Sequence, residues 1–375
     1  MENLNLSKTE TISLKNTSNI VERRPEVFVS SDANRETMGK LEYFTDKNIG
    51  VFTTSPEEGT TEPKSNEYLV VPLSYEALFG TDATSDLESK RLQVIANMTG
   101  KTVVGVETPG FGMGDKSSSK AKLLGASLHS AAFGGMKKQA QWQVDAIKEA
   151  ASKNNETLKL DSKDAKVGFF GYSMGNMATT DMLKPFSTAF PDAEVDTLYM
   201  LEGVSDQDFS LLGKDGLLQS IGRETNEENV KRYLKDNQED GLTVSYDRDP
   251  KTLEFDNERK EELDKAKKAG MLGNLALGLA MRKGYSDKLT ETLKDEKYRD
   301  TKIRVFRTDG SEVAREEANA KTANQLKDVT NITRYTIESA DDEPEHHHPI
   351  WQSLPAVAVL LEMIGQIEKN ELPTS

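Results

Sequence analysis

The segment Gly171-Tyr172-Ser173-Met174-Gly175 places one serine between two glycines, a spacing that could support nucleophilic catalysis by the serine. The pattern G-x-S-x-G suits a sharp turn from a strand into a helix, where glycines avoid the clashes that side chains would make. A short apolar run precedes it at 165–171, and a helical pattern follows it at 174–185. The N-terminus of such a helix directs N–H groups towards developing negative charge. These flanks favour a nucleophilic serine over a serine in an ordinary glycine-rich loop.

A second glycine-rich stretch, "VVGVETPGFGMGD", occupies 103–115. It closely resembles the strand and turn of α/β-hydrolases that read as an acidic residue followed by x-P-G-x-G-x-S. The residues that hold those places are Glu107, Pro109, Gly110, Gly112 and Gly114. A phosphate-binding loop is the alternative, but no G-K-[ST] follows and no G-x-G-x-x-G is complete. With the serine motif, the resemblance to the α/β-hydrolase superfamily covers about 65–205 and 300–370.

The resemblance implies that the nucleophile, the acid and the histidine follow one another in that chain order. Histidines occur only at 129, 346, 347 and 348, and position 129 precedes the serine. Family members often carry the histidine seven residues before a proline that opens the last helix, as His348 does before Pro355. His347 fits a rival alignment through Pro349. We expect His348 to be the base. Three adjacent imidazoles cannot all bind one ion, so we expect no metal site, and a triad of this kind needs no cofactor.

The acid of the family lies in the loop after the strand that corresponds to 302–308. Ser311-Glu312 takes the usual Ser-Asp position, with glutamate in place of aspartate. Asp309 is the alternative, although it comes early in the loop. We expect Glu312 to hold the other imidazole nitrogen and to stabilise the imidazolium.

The predicted oxyanion hole departs from the family pattern. The third strand of the family normally ends in His-Gly, whereas this chain has "VVPLSYEALFG" at 70–80. The amide of Leu73, Ser74 or Tyr75 would have to bind the oxyanion. We expect Ser74 to supply it, with Met174 as the second donor.

The elements that must position these residues are visible as apolar runs and helical stripes. Mostly continuous apolar runs, typical of strands covered on both faces, occur at 67–74, 101–110, 165–171, 195–203 and 302–308. Helical spacing occurs between them at 87–97, 136–151, 174–185 and 316–326, and a closing helix is expected near 354–370. Short β-rich runs at 26–30, 40–44 and 50–54 indicate an antiparallel meander. The sequence therefore predicts an α/β fold, with a mostly parallel central sheet flanked by helices.

The chain divides by composition into four parts. We expect a flexible N-terminal tail at 1–20, the first part of the core at 21–205, and its second part at 298–375. Residues 206–297 are rich in charge and helical spacing, and we interpret them as a mainly helical cap inserted between two strands of the sheet.

Charge and composition exclude several classes of function. Lys and Arg number 48 against 63 Asp and Glu, and the net charge of −15 repels nucleic acid. No apolar stretch is long enough to span a membrane. The absence of cysteine removes disulfides and thiolate chemistry, and the polar N-terminus lacks the pattern of a signal peptide. We expect a cytoplasmic protein.

The motifs together predict a serine hydrolase that cleaves a small-molecule carboxylic ester, or an amide or thioester, through an acyl-enzyme. Two alternatives stay open: another cofactor-free chemistry on the same scaffold, and a non-catalytic α/β-hydrolase-like binding protein. The sequence does not indicate an oligomeric state.

Overall fold

The structure is a computed structural model. It describes residues 9–13, 20–28, 39–73, 82–109, 136–154, 157–172, 175–201, 285–308, 332–338 and 354–369. The strands are β1 (Thr9–Ser13), β2 (Lys40–Phe44), β3 (Ile49–Thr54), β4 (Glu67–Pro72), β5 (Thr102–Val106), β6 (Lys166–Tyr172), β7 (Glu194–Leu201), β8 (Lys302–Thr308) and β9 (Ile332–Glu338). The α-helices are α1 (Ile20–Arg23), α2 (Asp82–Thr99), α3 (Lys137–Lys153), α4 (Gly175–Ala189), α5 (Tyr285–Leu293) and α6 (Leu354–Glu368). Two 3₁₀ turns cover Pro25–Val27 and Glu296–Tyr298.

The described strands form one nine-stranded sheet in the order β1-β9-β8-β7-β6-β4-β5-β3-β2. Every neighbouring pair from β1 to β5 in that order is parallel. The pairs β5 with β3 and β3 with β2 are antiparallel. The prediction of an α/β fold with a mostly parallel sheet is therefore confirmed.

The central strands are apolar throughout because both faces of the sheet are covered. Along β6, Val167 and Phe169 face one buried cluster, whereas Phe170 and Tyr172 face the other. Helices α3, α4 and α5 pack on the first face, and α1, α2 and α6 pack on the second. Strand β6 thus lies in the middle layer of a three-layer core, and α4 lies in the helix layer on its first face.

The prediction of a strand at 26–30 is wrong for residues 26–28, which are the ones that the structure describes. Residues Pro25–Val27 form a 3₁₀ turn, in which the N–H of Val27 donates to the carbonyl oxygen of Arg24 at 3.1 Å and that of Phe28 to Pro25 at 3.2 Å. Proline fixes φ near the helical value and favours the first position of such a turn. Only the later two runs of the expected meander pair with each other, as β2 and β3.

Two elements bear on the expected division of the chain. Strand β1 lies within 1–20, where we expected a tail, and it pairs in parallel with β9 from Thr9 opposite Arg334 to Ser13 opposite Glu338. Helix α5 lies within the range assigned to the cap, yet Leu289 and Leu293 are buried in the core cluster on the α4 face. The last part of that range therefore contributes to the core layer. The predicted helix at 316–326 lies outside the described residues.

Candidate active site

The predicted site residues all follow the carboxyl ends of parallel strands. Strand β4 ends at Pro72, β6 at Tyr172 and β8 at Thr308, and these ends share one edge of the sheet. In open α/β sheets, ligands bind at this edge. Seven predicted residues lie outside the described residues, and their roles stay predictions: Ser74, Ser173, Met174, Asp309, Glu312, His347 and His348.

A side chain would clash at the first glycine of the serine motif and would be tightly placed at the second. A Cβ on Gly171 would lie 2.6 Å from Oδ1 of Asn176 and 2.9 Å from both its backbone nitrogen and its Cα. A Cβ on Gly175 would lie 3.0 Å from the carbonyl oxygen of Pro72. The end of β6 therefore packs directly on the first turn of α4, and α4 begins beside the end of β4. A strand end and a helix start this close to each other are consistent with the motif G-x-S-x-G.

The first turn of α4 is tied to the sheet by Asn176, which is fully buried. Its side-chain amide donates to the carbonyl oxygen of Leu201, the last residue of β7, at 2.9 Å. The hydroxyl of Thr180 donates to the carbonyl oxygen of Asn176 at 2.9 Å. The start of the helix is thus held against β6, β4 and β7, and the sequence analysis did not single out this asparagine.

The end of β4 narrows the choice of oxyanion donor. The N–H of Leu73 donates to the carbonyl oxygen of Val106 at 2.8 Å, which continues the pairing with β5. This amide is therefore engaged within the sheet and is unsuited to bind an oxyanion. Of the three amides considered, Ser74 and Tyr75 remain, and both lie outside the described residues.

Glu107, the acidic residue of the second motif, is buried at the end of β5. Its Oε2 accepts the N–H of Gly50 at 3.0 Å, and its own N–H donates to the carbonyl oxygen of Gly50 at 2.9 Å. A Cβ on Gly50 would lie 2.5 Å from this carboxylate oxygen, so a larger residue there would displace the Glu107 side chain. The carboxylate thus binds the backbone of β3, and we assign it a structural role.

A buried ion pair joins α4 to α5. The Nζ of Lys288 lies 3.1 Å from Oδ2 of Asp181, and this oxygen also accepts the N–H of Met136, just before α3, at 2.9 Å. Burial raises the pKa of the Asp181 carboxyl, while Lys288 and the Met136 N–H act in the opposite direction. One carboxylate therefore holds three helices together. Spacing along the sequence gives no sign of such a pair, since its partners are distant in the chain.

In the described part of the chain, no three histidine, aspartate or glutamate side chains cluster to hold a metal ion. Among the described helices, none combines the length and the apolar character needed to cross a bilayer.

Comparison with known proteins finds likeness at the level of structure. No protein-family model matches the chain, and no curated protein matches it. A Pyrococcus horikoshii acylaminoacyl peptidase aligns at 12% identity and a TM-score of 0.44, over 90% of this chain. The chain spans only 42% of that peptidase. A laboratory-evolved variant of potato epoxide hydrolase aligns at 12% identity and a TM-score of 0.46, over 88% of this chain and 99% of its own.

A thioesterase domain from the curacin biosynthetic pathway aligns at 13% identity and a TM-score of 0.43, over 86% of this chain and 99% of its own. The strand order and the packing of β6 against the start of α4 identify the fold. A mostly parallel sheet in this strand order, covered by helices on both faces, with the end of β6 packed against the start of α4, gives this chain the α/β-hydrolase fold.

Proposed function

We propose that this protein is a serine hydrolase that cleaves a carboxylic ester through an acyl-enzyme on Ser173. The observation that carries the proposal is the close packing of Gly171 on Asn176 and of Gly175 on Pro72. Only positions 173 and 174 separate the end of β6 from the start of α4 in the sequence. A serine in so short a connection is suited to nucleophilic attack at the sheet edge.

The proposed mechanism follows from the residues at this edge. The Oγ of Ser173 attacks the ester carbonyl carbon while His348 takes the hydroxyl proton. The amides of Met174 and Ser74 bind the oxyanion. When the C–O bond breaks, His348 returns the proton to the leaving alcohol. Water then attacks the acyl-enzyme by the same route, releasing the acid and restoring the serine.

Glu312 is the residue that we propose to orient the imidazole, with Asp309 and His347 as the rival members of the triad. Both acids follow the end of β8 at Thr308, and β8 is separated from β6 only by β7. The same chemistry would act on amides and thioesters, and esters are the simplest substrates with which to test it. A small-molecule acyl compound is therefore the proposed substrate.

The sequence at the end of β4 favours a second candidate, a binding protein that kept the fold without catalysis. Pro72 and Leu73 stand near the place where the family carries His-Gly, and the Leu73 amide is used in the sheet. A chain that lost its oxyanion donor would keep the Ser173 turn but hydrolyse nothing.

Hydrolysis of p-nitrophenyl acetate separates the two candidates. We expect turnover by the wild type that falls at least about 1,000-fold in Ser173→Ala and His348→Ala, because members of a triad act as a unit. If His347→Ala is the inactive variant instead, the base is reassigned. Turnover that is absent in the wild type, or unchanged in Ser173→Ala, would favour the binding protein.

A further inference from the structure

The end of β4 is held by a side chain from the end of β5. The hydroxyl of Thr108 donates to the carbonyl oxygen of Leu73 at 2.7 Å, and both residues are buried. The N–H of Leu73 bonds to Val106 on the same side. Leu73, which directly follows β4, is therefore fixed towards β5 through both of its backbone polar groups.

Peptide geometry carries this restraint to the next amide. The carbonyl of Leu73 and the N–H of the following residue belong to one planar unit, and in a trans peptide they point in opposite directions. Strand β4 lies between β5 and β6 in the sheet. Because the Leu73 carbonyl is directed at β5, we expect the next N–H to face β6, the strand that leads into Ser173.

Two further points connect the end of β4 with the oxyanion hole that we propose. The start of α4 approaches the end of β4, because a Cβ on Gly175 would lie 3.0 Å from the Pro72 carbonyl oxygen. In addition, a hydrogen bond accepted by a carbonyl polarises its peptide and strengthens the N–H as a donor. The Thr108 hydroxyl thus affects both the direction and the strength of this amide.

We propose that Thr108 is a positioning residue for the oxyanion hole, whose hydroxyl orients the Leu73–Ser74 peptide so that its N–H faces the reacting carbonyl. This inference rests on the proposed serine hydrolase function. In this chain the Thr108 side chain, just after β5, would replace the family's His-Gly by fixing the direction of the peptide that follows β4.

Thr108→Val removes the hydroxyl and nearly keeps the shape of the side chain. Loss of a direct oxyanion donor costs about 100- to 1,000-fold in kcat, so a misdirected donor is expected to lower kcat about tenfold, with KM unchanged. Inhibition by a trifluoromethyl ketone, whose adduct carries the oxyanion, weakens by the same factor. Thr108→Ser keeps the hydroxyl and restores kcat. Should the valine variant fail to fold, Thr108→Cys, with a weaker donor, is expected to show an intermediate loss.

Thr301 offers a matched control at the opposite edge of the sheet. Its hydroxyl donates to the carbonyl oxygen of Val195 at 2.7 Å, and it is likewise buried, beside the start of β7. Thr301→Val should lose similar stability to denaturant while kcat stays unchanged.

Three outcomes would overturn the inference. Unchanged kcat in Thr108→Val, with an active wild type, refutes the role of Thr108 but leaves the hydrolase function standing. An equal loss of kcat in Thr301→Val shows that general destabilisation explains the effect. If the wild type neither hydrolyses the ester nor binds the ketone, the proposed function fails and this inference fails with it.

Discussion

Replacing Gly171 by alanine tests the tight junction between β6 and α4. The added Cβ would lie 2.6 Å from Oδ1 of Asn176 and 2.9 Å from its backbone nitrogen and Cα. Two of these atoms are backbone, and the asparagine amide is held by Leu201 at 2.9 Å, so rotation of the side chain cannot relieve the contact. The start of α4 must move instead. Overpacking of this kind costs about 1–3 kcal/mol of the free energy of unfolding.

Urea unfolding measures that cost, and ester turnover measures its effect on the site. Displacement of the first turn of α4 also displaces the amide of Met174, which we propose as an oxyanion donor. We therefore expect kcat to fall by at least about tenfold, because a shift of roughly 1 Å can cost more than that.

Gly365→Ala is the matched control for this substitution. Gly365 lies inside α6, and a Cβ there meets nothing within 4 Å. Alanine in a helix interior is favoured over glycine by up to about 1 kcal/mol, so this variant should be as stable as the wild type or more so. If Gly171→Ala unfolds at the wild-type urea concentration and keeps its kcat, the packing argument for the Ser173 turn is wrong.

Two further substitutions test the contacts around α4. Lys288→Met leaves the Asp181 carboxylate buried without its cation and should cost about 3 kcal/mol at pH 8. Burial raises the pKa of Asp181 in the folded protein. The stability of the protein therefore falls as the pH rises from the ordinary pKa of a carboxyl through this raised pKa. The cost should therefore be smaller at pH 5 than at pH 8, because lower pH favours the neutral form of Asp181, and an equal cost in urea unfolding at both values would contradict this. Asn176→Asp cannot donate to Leu201 and should cost about 1–3 kcal/mol, and a change below about 0.5 would refute the bond's role.

The central strands were predictable because burial on both faces demands continuous apolar runs. The runs at 67–74 and 165–171 contain β4 and nearly all of β6. Strand β1, "TETIS", has no such pattern, since it pairs through its backbone at an edge. The 3₁₀ turn at Pro25–Val27 was also missed, because apolar alternation at 26–30 outweighed the proline in our interpretation.

The site was predictable only where local geometry determines the residue type. Gly171 and Gly175 are required by close backbone contacts, and such requirements leave a pattern in the sequence. Asn176, Thr108 and the pair of Asp181 with Lys288 act across long separations in the chain, so spacing could not reveal them. A buried aspartate within "MATTDML" was the one signal that could have suggested a paired charge. The triad itself stays a prediction.

Covalent labelling by a fluorophosphonate tests the central claim most directly, because only an activated serine reacts at an appreciable rate. Ser187 lies on α4, the helix that follows Ser173, and its hydroxyl forms a hydrogen bond with that of Tyr298 at 2.7 Å. The variant Ser187→Ala is therefore a control for general damage to α4. We predict that the wild type and Ser187→Ala are labelled on the peptide containing Ser173, and that Ser173→Ala is not labelled. A wild type that resists the probe, or a label that persists in Ser173→Ala, would contradict the assignment of Ser173 as the nucleophile.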